Sequence, residues 1–334
     1  MKSERLAGID LGGTKILSGI FGDAGEVLGT DERPTPCDCG PDGVVGCMME
    51  SLGGLLGQLN LSPGDLKGLV VGSPGPLDPE TGIVHQTPNL PGWEQVPLAA
   101  MLTGRLKIPV ALENDANLAA LAEQAIGYAG RHQVLLYLTV STGIGGGLIL
   151  GGSIFHGAHG AAGEFGHMTV EPNGPMCNCQ NRGCLEMMAS GTAVARAGRL
   201  LVGGGYAGRL AELTGDDPSL IDARMVAEAA RQGDGAAERI LLEAFDYLGI
   251  GIANLVNALN PNAVVLGGGL MQVGERYYER IWEQLRQRTY PRLRHGLEIL
   301  PSRLGPAAGL LGCGLYAQRI WGGQNHAVSP GLNG

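Results

Sequence analysis

The sequence predicts two α/β domains of related design, and three observations carry that expectation. Short apolar runs alternate with helical patterns along the chain, the alternation expected of α/β architecture. Two windows share one plan: Leu6–Leu11 runs into Gly12-Gly13-Thr14-Lys15 and resumes at Ile16–Phe21, and Val134–Val140 runs into Ser141–Gly147 and resumes at Leu148-Ile149-Leu150. Finally, 334 residues exceed what one hydrophobic core usually supports, so two bodies of roughly 150 residues with a cleft between them are expected.

Taken in order, each paired window reads as a hairpin with a glycine tip. Further strand-like runs occur at 68–72, 109–112 and 263–266. A helix is expected over 116–126, where Leu118, Leu121, Ala122, Ala125 and Ile126 recur at helical spacing and Gly127 supplies a stop. A second runs from about 236 to 259. The domain boundary is expected within 113–130, drawn as 1–115 and 116–305, with a last helix at about 306–321 completing the first domain. The polar, glycine-rich tail after Gly322 is expected to fray.

Composition limits the function classes. With 44% hydrophobic and 16% charged residues the chain reads as globular and ordered. A net charge of −9 provides no global basic field, so neither nucleic acid nor an anionic membrane is expected as a partner. Anionic ligands then need local loops, and the 58 glycines suit backbone that turns sharply or approaches a ligand closely. The window Gln133–Phe155 carries no charge, but six glycines interrupt it, so it reads as two strands and a turn rather than a membrane span. Met1–Arg5 is polar and lacks the apolar core of a signal peptide, which points to the cytoplasm. Seven cysteines, three of them between Cys177 and Cys184, suggest metal rather than disulfide chemistry there. Cys37, Cys39, Cys47 and Cys313 read as free thiols.

Several segments carry chemistry. Asp10-Leu11-Gly12-Gly13-Thr14-Lys15 joins a carboxylate, two glycines, a hydroxyl and an amine at one turn. Its backbone N–H groups can meet the phosphates of ATP while Asp10 holds hydrated Mg²⁺; a plain glycine hairpin with a polar tip has the same pattern. Thr142 and Gly143 in the second loop, and Gly267 and Gly268 after the 263–266 strand, offer further phosphate or adenosine contacts, or simple turns. Asp115 falls where an apolar strand gives way to a helix, which suits either an N-cap or a base that accepts the proton of an attacking hydroxyl. His167, Cys177, Cys179 and Cys184 supply one imidazole and three thiolates, the tetrahedral set of a structural Zn²⁺. Glu164 and Glu186 flank that loop; carboxylates accept hydrogen bonds from vicinal sugar hydroxyls, although surface charges or a partner for Arg182 read equally well. His167 can bind metal through one nitrogen and donate through the other.

Together these segments resemble the ROK family of actin-like sugar kinases and repressors from residue 6 to about 318. The pieces that match are Asp10–Lys15, Gly72-Ser-Pro-Gly-Pro-Leu-Asp78, Pro88-Asn-Leu-Pro-Gly-Trp93, Glu113-Asn-Asp-Ala-Asn117, Thr142–Gly147, Gly163-Glu-Phe-Gly-His167 and the cysteine loop. The resemblance implies the actin-like ATPase fold with two RNase-H-like domains closing on the substrates. It implies Asp115 as catalytic base and Gly75, Asn89, Asn114, Glu164, His167 and Glu186 as sugar contacts. It also implies Mg-ATP held by the three glycine loops, a structural Zn²⁺ that positions His167, and a homodimer or homotetramer. The activity implied is ATP-dependent phosphorylation of a hexose, glucose first, with N-acetylglucosamine, N-acetylmannosamine, mannose and fructose as alternatives. One departure is Gln180, where the family's cysteine loop usually has glycine, so modest backbone strain is expected there.

Two rivals belong to other classes. A repressor of the family is expected to carry a winged helix ahead of the sugar domain, and nine residues precede Asp10. A sugar sensor without catalysis is expected to lack the base or a phosphate loop, and both are present.

Overall fold

A computed structural model describes residues 5–87 and 90–322. The tail beyond Gly322 and Asn89, expected respectively to fray and to contact sugar, lie outside the described residues. The chain begins with Arg5–Leu11 (β1), Lys15–Phe21 (β2), Val27–Pro34 (β3), Gly40–Gln58 (α1), Leu66–Ser73 (β4), Leu77–Asp78 (β5), Ile83–Gln86 (β6), Glu94–Val96 (β7), Leu98–Leu106 (α2), Val110–Asn114 (β8) and Asp115–Ala122 (α3). It continues through Val134–Val140 (β9), Ile144–Leu150 (β10), Ser153–Ile154 (β11), Leu185–Ala189 (α4), Gly191–Gly203 (α5), Arg209–Thr214 (α6), Ala223–Arg231 (α7), Gly235–Leu259 (α8), Ala263–Gly267 (β12), Arg276–Arg288 (α9) and Glu298–Pro301 (β13). Ala308–Trp321 (α10) closes the described chain.

These elements form two compact units. One holds the described residues of Met1–Ala122, His156–Ala161 and Pro306–Gly334; the other holds Glu123–Phe155 and Ala162–Gly305. The division differs from the expected boundaries. Residues 116–122 were expected in the second domain but belong to the first unit, because α3 packs along α10, and its Leu118 is fully buried against Phe21, Val70, Leu310 and Cys313. The short segment 156–161 also returns to the first unit.

The first unit is built on the sheet order β3-β2-β1-β4-β8, in which β1, β2 and β3 form an antiparallel meander and β1, β4 and β8 run parallel. Strand β4 is apolar and buried on both faces, as a central parallel strand must be. Its side chains alternate: Leu69 and Val71 pack with Val45, Met48 and Leu52 of α1, while Val70 joins the α3–α10 side. A small antiparallel sheet, β5-β6-β7, adds to this unit. The second unit repeats the plan with the order β11-β10-β9-β12-β13: antiparallel across β9, β10 and β11, parallel across β9, β12 and β13. The two windows with the same sequence plan are therefore the opening hairpins of two sheets of the same topology, and the uncharged stretch 133–155 is strand and turn.

Helix α8 is long and apolar enough by composition to cross a membrane, yet more than half of that stretch is buried inside the second unit, against α7, α9 and α4. It starts where Asp234 accepts from the N–H groups of Ala236 and Ala237, and stops at Asn260 in the left-handed region. The helix expected over 116–126 is α3 followed by a wider π-turn, Glu123–Gly127.

Candidate functional site

In the first unit the register brings the chemistry to the carboxyl ends of the parallel strands, where open α/β sheets place ligand sites. Asp10 pairs with Gly72, Gly72 with Glu113, and Ser73 with Asn114. Beyond Asp10 the turn is tied down through its carbonyls: Thr35 Oγ1 donates to Gly12 O at 2.8 Å, Cys37 Sγ to Gly13 O at 2.8 Å, and Thr35 N–H to Thr14 O at 3.0 Å. With Gly12 N–H donating to Lys15 O at 2.8 Å, the turn can meet an anion through Gly13 and Thr14, whose side chain is exposed. Lys15 Nζ sits 2.7 Å from Glu32.

Asp10 is crowded; a side chain on Gly309 of α10 would collide with its carboxylate, which is why that position takes glycine. Burial, then the charge of Asp115, pushes the Asp10 pKa up to about 7, with Lys15 opposing. A buried carboxylate beside a second one forms a donor set suited to a hard divalent cation.

Asn114 Oδ1 accepts from the N–H groups of Ala116 at 3.0 Å and Asn117 at 3.2 Å, so Asn114 caps α3. Asp115 accepts from Ala116 N–H at 2.8 Å and stands half-buried at the first turn of α3. Gly75 lies beside this junction, in a cis Gly75–Pro76 pair; a β-carbon there would be 3.4 Å from Asn114 Nδ2.

In the second unit, Gly267 pairs with Thr139, which sets Gly267-Gly268 beside the turn joining β9 to β10. That turn is anchored by Thr192, whose hydroxyl donates to Thr142 O at 2.7 Å, and by Gly191 N–H, which donates to Ser141 O at 2.7 Å. Glu186, at the start of α4, accepts from Ile144 N–H at 2.8 Å, and its carboxylate lies so close to Gly143 that a β-carbon would collide with it. A phosphate-loop candidate and a sugar-contact candidate are thus joined directly.

The ligand atoms of His167, Cys177, Cys179 and Cys184 all lie within 4.8 Å of one another. Cys179 Sγ and Cys184 Sγ are 3.6 Å apart, as are Cys177 Sγ and His167 Nδ1. Four ligands at about 2.3 Å from a tetrahedral Zn²⁺ are separated by about 3.7 Å, so the cluster fits that ion. Burial pushes the thiol of Cys177 up and that of Cys184 up to about 12, a cost that a bound cation would offset by stabilising thiolates. Since Nδ1 faces the cysteines, Nε2 of His167 faces Glu164, 3.8 Å away. Gln180 adopts φ 69°, the left-handed strain expected of a non-glycine residue there. Cys37, Cys39, Cys47 and Cys313 are free thiols.

Two residues escaped the sequence reading as individuals. Glu113 is completely buried at the end of β8, and its Oε2 is 2.6 Å from Nε2 of His156. A glutamate closing an apolar strand was the available signal for the first; nothing near His156 in the sequence marks it.

The sequence matches the ROK family over residues 6–320. It is 37% identical over 324 residues to a glucokinase of Thermotoga maritima, covering 96% of this chain and all of that one. Among solved structures, a ROK hexokinase from Thermus thermophilus superposes with a TM-score of 0.79 at 38% identity, covering 95% of this chain and 98% of that one. A ROK family glucokinase from Streptomyces griseus, solved in complex with glucose and AMPPNP, gives a TM-score of 0.79 at 32% identity, covering 94% and 99%.

Proposed function

The chain belongs to the ROK family, and from that premise we propose that it is an ATP-dependent hexose kinase converting glucose to glucose 6-phosphate. Its fold is the actin-like ATPase fold of those relatives, and the two units are its RNase-H-like halves. The observation that supports the reading best is the β8–α3 junction: Asn114 caps α3 through the N–H groups of Ala116 and Asn117, and Asp115, at the same junction, lies near enough to Asp10 to raise its pKa.

Asp115 accepts the proton of the sugar hydroxyl as its oxygen attacks the γ-phosphoryl group of ATP. Gly75, Asn89, Asn114, Glu164, His167 and Glu186 hold the hexose; carboxylates that accept from vicinal hydroxyls orient the attacking one. Gly12, Gly13, Thr14 and Lys15 bind the phosphates, together with Thr142, Gly143, Gly267 and Gly268. Asp10 would hold Mg²⁺, which neutralises charge on the transferring phosphoryl group. His167, Cys177, Cys179 and Cys184 would hold a structural Zn²⁺, which fixes the tautomer of His167 and leaves Nε2 as the hydrogen-bonding atom. The enzyme works as a soluble cytoplasmic homodimer or homotetramer, without nucleic acid or membrane.

Phosphorus NMR of the protein incubated with glucose and Mg-ATP tests this. Glucose 6-phosphate and ADP are expected; no sugar phosphate from any hexose would overturn the reading.

A further inference from the structure

Glu113 is the least exposed charged residue of the β8–α3 junction, and a buried carboxylate demands partners. Its Oε1 accepts from Asn114 N–H at 2.8 Å and from Asn117 Nδ2 at 3.0 Å. Its Oε2 meets His156 Nε2 at 2.6 Å, and Tyr316 of α10 lies near the carboxylate. The two residues held on Oε1 bracket Asp115 in sequence and are themselves linked, since Asn117 N–H donates to Asn114 Oδ1. His156 comes from the isolated segment 156–161 that the first unit takes back, and holds the opposite oxygen.

The geometry points to Glu113 and His156 as positioning residues for phosphoryl transfer: the imidazole pins the buried carboxylate, and the carboxylate fixes the Asn114–Asn117 turn that aims Asp115. The inference rests on the hexose kinase reading. Neither residue needs to touch substrate. Removing the imidazole leaves Oε2 buried without its charged partner, so the carboxylate turns toward other donors and releases the Asn114 N–H and the Asn117 side-chain amide it held. A misplacement of about 1 Å at a reacting group costs up to about 100-fold in rate.

His156→Ala and His156→Gln, each alone and combined with Asp115→Asn, test this. Gln places an amide donor near the position of Nε2. His156→Ala is expected to lower kcat on the best hexose about tenfold or more, and His156→Gln to recover most of it. In the Asp115→Asn background His156→Ala should change kcat less than about twofold, because residues that act as one unit are not additive. A purely structural defect would instead repeat its full loss there. Wild-type kcat in His156→Ala, no recovery with Gln, or an undiminished loss in the Asp115→Asn background would each overturn the inference. Amide hydrogen exchange gives a readout independent of turnover: residues 114–117 should exchange faster in His156→Ala, and unchanged protection overturns the positioning role. Failure of the wild type to phosphorylate any hexose defeats the kinase reading instead, and the exchange comparison still decides whether His156 holds this turn.

Discussion

Asp115 lies close enough to Asp10 for its charge, after burial, to raise the pKa of Asp10 to about 7. A carboxylate whose folded-state pKa is raised contributes stability that is present below its unfolded value, about 3.9, and is lost as pH rises through about 7. The metal-free protein therefore carries a destabilising charge at neutral pH, kept for binding Mg-ATP. Asp10→Asn should melt at a higher temperature than the wild type at about pH 8 without nucleotide, and the gap should close at about pH 4. Mg-ATP should raise the melting temperature of the wild type and not of the variant. A variant that melts lower at pH 8 would show that Asp10 is stabilising as an anion.

Asp115→Asn separates binding from chemistry. The amide keeps the size of the side chain and removes the base, so calorimetry should find glucose binding within a few-fold of wild type while kcat falls on the order of 10²–10⁴-fold. Unchanged kcat would make Asp115 a structural residue.

The pair of Glu113 and His156 predicts its own pH dependence. The hydrogen bond to Glu113 holds the His156 pKa above its usual value, with burial opposing. With the folded-state value raised, the pair's stabilisation is fully present below about pH 6.5 and is lost as pH rises through the elevated value. Tyr316, the other titratable group near Glu113, is pushed up to about 12, chiefly by burial, and stays neutral throughout this range. The melting temperature of the wild type should exceed that of His156→Gln most at about pH 6 and least at about pH 9. A gap that widens with pH would refute the sign.

The cysteine cluster predicts zinc-dependent sugar binding. Cys179→Ser removes one of four ligands, so metal analysis should find about one equivalent of zinc in the wild type and far less in the variant. Glucose affinity should fall, because His167 loses the partner that fixes its ring. Zinc-free wild-type protein with full sugar affinity would falsify this.

Much of this was legible in the sequence, for local reasons. The paired hairpin windows share turn chemistry and apolar runs, so both sheets could be anticipated from 6–21 and 134–150. The cysteine loop is close in sequence and its ligand types are distinctive. The junction at 113–117 was visible as strand-into-helix, but the choice between Asn114 and Asp115 as cap depends on side-chain rotamers that no pattern records. The boundary drawn at 115 stops short of Ala122, though inside the expected 113–130, because α3 belongs with α10, almost two hundred residues later, through Leu118, Leu310 and Cys313. His156 was hidden for the same reason: it meets Glu113 across 43 residues and sits in a segment with no motif of its own.

Hexose phosphorylation with Asp115 as base is best checked by a coupled ADP-release assay with Mg-ATP across glucose, N-acetylglucosamine, N-acetylmannosamine, mannose and fructose, run in parallel on Asp115→Asn. Sugar-dependent ADP release is expected, highest with glucose and lowered about 100-fold or more by the substitution; silence with every sugar, or glucose turnover unchanged by the loss of Asp115, would refute the assignment.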